Sequence, residues 1–299
     1  ILLRPLAKSN PTPRKIAMNP LWRSLLFVPA TRPDRFEKAA AAGADMVCID
    51  LEDAVALDDK AAARATALEY LAGSLPAGPR WVLRINSPRT ELGLHDLLAL
   101  LSSEAAPDAL FIPKASSGEE MRWLDGLLSS ADKDIDLIPV VESAEGLDRV
   151  AEIAGSVLRN VALGFGSADY AAELGSDMSV AALAYGRGRI AAAAGQAGIA
   201  AIDGIWPDFK DDDGLRGDTE LVRSMGFDGK IAIHPRQVSV IHAVFAPSEE
   251  EVARARRIVA ASEAAKGGIA TVDGEMIDNP VVVAAQHILA VAGAVEKND

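Results

Sequence analysis

Cysteine is almost missing from this chain: 299 residues contain one, Cys48. That excludes a disulfide framework and a cysteine-rich metal site. Its place in the apolar run Met46-Val-Cys-Ile49 fits a core residue of a reduced, cytoplasmic protein. Histidine is scarce as well, with four in the chain and none paired at metal-ligand spacing, which argues against zinc. Positive charge is short: the net charge is −13 and no block of Lys and Arg stands out. Nucleic acid and anionic membranes are therefore not expected partners. No apolar run reaches the length of a membrane span. A G-x-S-x-G elbow for a serine nucleophile is absent, and so is a G-x-G-x-x-G after the first strand, which weakens a dinucleotide-binding reading. Residues 1–19 are proline-bearing and basic, with no apolar core and cleavage site, so they do not read as a secretory signal. They are expected to form a disordered extension, with Met18 close to the natural start.

What the chain has is apolar residues, 49% of the total, in a regular alternation. Short runs rich in Val, Ile and Leu are followed by Ala-rich helical segments. The runs are Ser24–Pro29, Met46–Asp53, Trp81–Asn86, Ala109–Lys114, Asp136–Glu142, Val161–Gly166, Ala200–Trp206 and Lys230–His234. Helices are expected between them, for instance over 59–71, 144–154, 180–197 and 212–225. Strands this continuously apolar are buried on both faces, as in parallel sheets with helical crossovers. Eight of them close a (β/α)8 TIM barrel, with a doubly wound open sheet as the runner-up. The expected division is an extension over 1–19, an α/β barrel over 20–246, and a C-terminal helix, lid loop and helix over 247–299. In that last part Ser248 caps a charged helix, Gly267-Gly268 breaks it, and 271–280 is polar and turn-rich.

The strand ends are polar, and the C-terminal ends of barrel strands are where active sites are built. Glu142 and Asp169 each follow an apolar run, and two such tips side by side suit a hard divalent cation that keeps waters and a chelating substrate. Alone, either acid is as readily a helix cap or an ion-pair partner. Asp50 and Glu52 share a face, as do Arg84 and Asn86. A buried Arg84 needs a carboxylate or a substrate anion beside it. Asp50, Glu52 and Lys114 read as a supporting ion-pair network, in preference to a Schiff-base role for Lys114. His234 reads as a turn-holding or rim residue.

These blocks, taken in order, resemble the citrate lyase β-subunit-like proteins of the HpcH/HpaI aldolase superfamily, which include malyl-CoA and citramalyl-CoA lyases. The carriers are Arg23-Ser-Leu-Leu-Phe-Val-Pro29, Ile49-Asp-Leu-Glu-Asp-Ala-Val55 with Lys60, Leu83-Arg-Ile-Asn86, Pro139-Val-Val-Glu-Ser-Ala-Glu-Gly146, Gly164-Phe-Gly-Ser-Ala-Asp169, Gly229-Lys-Ile-Ala-Ile-His-Pro235 and Asp273-Gly-Glu-Met-Ile-Asp278. One departure is Pro29-Ala30, where the family often has Pro-Gly. The resemblance implies a TIM barrel with a C-terminal lid that uses Mg2+, or Mn2+ in its place. Glu142 and Asp169 would be the metal ligands, and Arg84 a catalytic and substrate contact. Asp278 would be the proton-transferring acid, carried on a lid that closes over a neighbouring subunit of a trimer or hexamer. Gly166 and Ala168 would hold the substrate carboxylate, and Arg23 and Phe27 would lie where the CoA nucleotide binds. The implied reaction is cleavage or formation of a 3-hydroxyacyl-CoA, with a CoA thioester and a 2-oxo acid as ligands. The alternatives are a metal-dependent aldolase on 4-hydroxy-2-oxo acids, a β subunit acting on a carrier-protein thioester, and a non-catalytic CoA-ester binder.

Overall fold

The structure is a computed structural model describing residues 21–265 and 269–298. The expectations about an N-terminal extension, a start near Met18 and a break at Gly267-Gly268 lie outside the described residues. Two compact units are present, one over Trp22–Pro247 and one that includes the chain from Ser248 onward.

The first unit is a closed barrel of eight parallel strands in sequence order. They are β1 (Ser24–Pro29), β2 (Met46–Asp50), β3 (Arg80–Arg84), β4 (Ala109–Ile112), β5 (Asp136–Val141), β6 (Ala162–Phe165), β7 (Ala200–Asp203) and β8 (Gly229–Ala232), with β8 pairing back onto β1. Around them lie α1 (Phe36–Ala40), α2 (Lys60–Leu71), α3 (Glu91–Leu101), α4 (Gly118–Ser130), α5 (Ala144–Asp148), α6 (Val150–Ala154), α7 (Ser167–Leu174), α8 (Val180–Ala197), α9 (Asp212–Ser224) and α10 (Pro235–Phe245). Side chains alternate along each strand, so the barrel has two cores. Leu25, Met46, Cys48, Val82, Phe111 and Ile202 belong to the cluster that fills the interior. Leu26, Val47, Leu83, Leu110 and Leu163 belong to the larger cluster between sheet and helices.

At the N-terminal ends of the strands one device recurs. Asp45, Asp108 and Asp228 each accept the backbone N–H of a residue at the start of the preceding strand: Arg23, Trp81 and Ala201, at 2.9, 2.7 and 2.8 Å. Each carboxylate thus satisfies an amide at the barrel floor.

Four charges are buried between sheet and helices. Arg187 on α8 and Lys230 on β8 share Asp203 of β7 and Asp218 of α9. The set is neutral, with Arg187–Asp203 at 3.0 Å and Lys230–Asp218 at 2.7 Å. Deleting one member leaves uncompensated buried charge, which costs about 3–5 kcal/mol. Lys230→Met is accordingly expected to lower unfolding stability by about that amount, read from the midpoint of a urea titration.

The second unit contains α11 (Glu249–Ala264), the antiparallel pair β9 (Ala270–Val272) and β10 (Glu275–Ile277), and α12 (Asn279–Asn298). Ser248 and Glu251 form a reciprocal capping box at the start of α11. The stretch expected to be a polar loop is a hairpin: Asp273 and Gly274, at φ 53° and 84°, make the Asp-Gly turn suited to two-residue connections. Ile258, Val272, Ile277 and Ala285 form its small core. One sequence expectation is corrected here. An 18-residue window of α12, Asn279–Glu296, has mean hydropathy 1.3 and meets the length and composition of a membrane span, with 6% of it buried. Gln286 and His287 interrupt the run without bringing its mean down far enough. Length and composition alone do not assign a span.

Candidate active site

The barrel's C-terminal mouth gathers most of the residues singled out above. Register places Asp50 of β2 directly beside Arg84 of β3, and both side chains turn inward. The guanidinium forms a two-pronged bond to Asp50, Nε–Oδ1 and Nη2–Oδ2 both at 2.6 Å. Its Nη1 lies 2.9 Å from Glu52 and 3.4 Å from Asp53. Its face covers the Phe27 ring at 4.6 Å. Burial disfavours the charged form of Arg84, but the bonds to Asp50 and the charges of Asp50 and Glu52 more than offset this and hold it cationic. Lys114 donates from Nζ to Glu52 Oε1 at 3.2 Å, closing the network of Asp50, Glu52 and Lys114. Burial lowers the Lys114 pKa, yet the Glu52 carboxylate raises it further, so the net shift is upward. A Schiff-base lysine needs the opposite.

Glu142 follows β5 and is buried. Its Oε1 accepts the Lys114 backbone N–H at 2.8 Å, which among the described residues is its one hydrogen bond. Burial first, then the charges of Glu52 and Asp169, push its carboxyl up to about 8. A carboxyl raised from 4.5 to about 8 on folding binds protons more tightly in the folded state. Its stabilising contribution is complete below pH 4.5 and is lost as pH rises through about 8. Metal-free protein should lose stability over that interval, and Glu142→Gln should flatten that part of the pH–stability curve in denaturation titrations.

Asp169 is not the strand tip that its sequence position suggests. Apolar residues run on past β6, but the chain turns at Gly166 into α7, and Asp169 lies exposed in the first turn of that helix. There it is near enough to Glu142 for the two charges to interact. The amides of a first helical turn have no partner within the helix and favour anions, and Ala168 belongs to that turn. Gly166 does not: its N–H donates to Val141 O at 3.0 Å, so it is not available to a substrate carboxylate. Its contribution is the missing side chain. A Cβ there would lie 2.2 Å from Glu142 Oε2 and 2.3 Å from Glu142 Cβ.

Arg23 is also corrected. It precedes β1 and so lies on the barrel floor, at the opposite end from Glu142. Its guanidinium is taken by Asp45, at 3.0 and 2.8 Å, within the floor device described above. A nucleotide at the mouth cannot reach it. Phe27, by contrast, is inside the barrel beneath Arg84 and edge-on to Phe111. Asn86 holds the β3 end in place, donating to Leu51 O and Asp96 and accepting from Lys60. His234 is the cap of α10 and stacks on Phe209. Asp278 belongs to the second unit, is exposed, and accepts the Val281 N–H at the start of α12 at 3.3 Å.

A cavity of about 680 Å³ opens beside this cluster, lined by Glu52, Asp53, Lys60, Asn86, Arg89 and Lys114 among others. Among the described residues no three His, Cys, Asp or Glu side chains are grouped to hold an ion together. Two neighbouring carboxylates, Glu142 and Asp169, suit a cation that takes few protein ligands and keeps several positions for water and substrate, as Mg2+ does.

Comparison with known proteins agrees with the TIM-barrel fold. A family model described as HpcH/HpaI aldolase/citrate lyase matches residues 23–235, and one described as C-C bond lyase of the TIM-barrel fold matches residues 189–294. A (3S)-malyl-CoA thioesterase of Cereibacter sphaeroides is 39% identical, covering 92% of this chain and 95% of its own. The citrate lyase subunit beta of Leuconostoc mesenteroides is 33% identical, covering 92% and 94%. A solved structure of CitE from Mycobacterium tuberculosis, in complex with magnesium, acetoacetate and coenzyme A, matches with TM-score 0.74 and 36% identity, over 91% of this chain and 98% of that one.

Proposed function

The chain belongs to the HpcH/HpaI aldolase/citrate lyase family, enzymes that make and break carbon–carbon bonds, and from that premise we propose that it cleaves or forms a 3-hydroxyacyl-CoA of the malyl-, citramalyl- or citryl-CoA class. The products of cleavage are an acyl-CoA and a 2-oxo acid. The observation that carries this reading is the pairing of Glu142 with Asp169 at the barrel mouth where Arg84 is fixed by Asp50. Glu142 is buried against other carboxylates, which disfavours its charge, and a divalent cation between the two acids relieves that. Glu142 and Asp169 would hold Mg2+, with Mn2+ as a substitute. Such a cation, when bound, polarises the carboxylate and neighbouring oxygen of the oxo-acid part.

The chain's own groups do the rest. Asp50 and Phe27 fix the Arg84 guanidinium, so its charge needs no reorganisation as negative charge develops beside it. Its weakest contact, 3.4 Å to Asp53, is the one a substrate anion replaces; the Asp53 side chain is 61% exposed. Amides of the first turn of α7, Ala168 among them, bind the substrate carboxylate. In cleavage the hydroxyl would give its proton to solvent water, the bonding pair would pass to the thioester as its enolate, and the enolate carbon would take up a proton. Asp278 supplies that proton and removes it in condensation. On the second unit it would act as a lid residue, donated by a neighbouring subunit of a homo-oligomer and closing only over bound substrate.

A second reading is hydrolysis of the same thioester, favoured by the relative at 39% identity that is a malyl-CoA thioesterase. A substrate panel tests the proposal. CoA thioesters of malate, citramalate and citrate should turn over in the presence of Mg2+, and the corresponding free acids and 4-hydroxy-2-oxo acids should not. Turnover of the free 4-hydroxy-2-oxo acids at comparable rates contradicts it.

A further inference from the structure

The cavity of about 680 Å³ beside the site has three cations in its wall, Lys60, Arg89 and Lys114. Two of them are spent. Lys60 directs its three ammonium protons at three oxygens, Leu51 O at 2.7 Å, Glu52 O at 2.6 Å and Asn86 Oδ1 at 2.8 Å. Lys114 is bound to Glu52. Arg89 is exposed and makes one side-chain bond among the described residues, from Nη1 to Ser116 Oγ at 2.9 Å. That partner is neutral, so no ion pair compensates the guanidinium. Its charge reaches Glu120 on α4. One Glu120 oxygen, however, accepts the Ser116 N–H at 3.2 Å, and the other is buried with no hydrogen-bond partner among the described residues. Ser116, itself buried, anchors Arg89 by one nitrogen and leaves its Nε–Nη2 edge open. Arg23 and Arg84 bind Asp45 and Asp50 through that same edge.

Resting on the lyase reading above, we propose that Arg89 is a specificity-determining residue: its Nε–Nη2 edge binds a second carboxylate on the oxo-acid part of the substrate. The planar fork matches a carboxylate with two parallel bonds. Lys114 links the acid pair to this wall, since its N–H holds Glu142 while its side chain lines the cavity. An oxo acid held at its reacting end by Glu142 and Asp169 has this cavity beside it, and a further carboxylate extends into it. Charge favours a carboxylate over a phosphate. Glu52 and Asp53 share the wall, and a dianion beside them is repelled more than a monoanion. Of the thioester classes named above, the citryl type, whose oxo-acid product is dicarboxylic, is the one that uses this residue. The malyl and citramalyl types leave it without a partner.

Condensation of acetyl-CoA with oxaloacetate and with pyruvate, in the presence of Mg2+, tests this, because the two acids differ by one carboxylate. Wild type should prefer oxaloacetate in kcat/KM. Arg89→Gln, at an exposed position, should cut the oxaloacetate-to-pyruvate ratio by about tenfold to a hundredfold, the range for loss of a charge-assisted hydrogen bond. The change should fall chiefly on KM for oxaloacetate, and Arg89→Lys should recover part of it. An unchanged ratio, or an equal loss for both acids, overturns the proposal. So does a rise in KM for acetyl-CoA that is absent with acetyl-pantetheine, because the bound anion is then a CoA phosphate. Wild type that condenses neither acid removes the lyase reading, and calorimetric titration in Mg2+ then decides the role of Arg89 by itself. Oxaloacetate should bind at least about tenfold more tightly than pyruvate, and Arg89→Gln should close the gap. Equal binding of the two acids by wild type overturns the proposal in that case.

Discussion

Gly166→Ala should abolish turnover, by at least about a thousandfold, in a protein that still folds; a catalytic group displaced by 1 Å already costs about a hundredfold. Gly166 has φ −82°, a conformation alanine adopts freely, so backbone strain plays no part. What alanine adds is one methyl group, and its carbon lies 2.2 Å from Glu142 Oε2 and 2.3 Å from Glu142 Cβ. The terminal oxygen can swing aside, but Glu142 Cβ is fixed to β5. Either β5 and β6 separate at the mouth or the Glu142 carboxylate leaves its place beside Asp169. Local overpacking of this kind costs about 1–3 kcal/mol, within the stability of an ordinary domain. Steady-state kinetics with a malyl-type CoA ester, alongside a chemical denaturation curve, separates the two effects. Wild-type kinetics in Gly166→Ala would show that the position of Glu142 does not matter to the reaction.

The second large effect belongs to Arg84. Arg84→Met leaves Asp50 buried without its cation and Glu52 with Lys114 alone, which costs about 3–5 kcal/mol, and it removes the fixed positive charge at the mouth. Arg84→Lys keeps a charge but not the two-pronged fit to Asp50, so a loss of at least about a hundredfold in kcat/KM is expected from misplacement alone. Stability and chemistry can be told apart. Asp50 also accepts the Glu52 and Ala54 N–H groups, at 2.8 and 3.2 Å, and Asn in its place keeps an acceptor while removing the charge. Arg84→Met with Asp50→Asn should therefore recover much of the stability and none of the activity. Recovery of activity in the double variant would show that Arg84 serves only to neutralise Asp50.

The barrel was legible because its strands are covered on both faces and so read as apolar runs between helices. Their ends were less so: Met46–Asp53 reads as one strand, but β2 stops at Asp50 because the Asp50 side chain turns back to accept the Glu52 and Ala54 amides. The same blindness hid α7. Nothing in Gly166-Ser167-Ala168-Asp169 announces a helix start immediately after a strand, so Asp169 read as a strand tip when it is a first-turn residue. Expected as one helix, 144–154 is broken at Arg149 into α5 and α6. The hairpin at β9 and β10 had a signal, Asp273-Gly274, but three-residue strands are too short to show an alternation. Arg23 misled because a motif carries no end of the barrel with it; only the strand direction shows that it faces the floor. The Arg187, Asp203, Asp218 and Lys230 set was out of reach, since its members come from four elements. Its one trace was a lysine inside the apolar run of β8.

The most direct test of the account is the product balance from a malyl-CoA substrate. Wild-type protein with Mg2+ should yield glyoxylate and acetyl-CoA in equal amounts, and EDTA or Glu142→Ala should stop both. Malate and free CoA as the products, or glyoxylate formation that continues in EDTA, would contradict a metal-assisted carbon–carbon lyase at the barrel mouth.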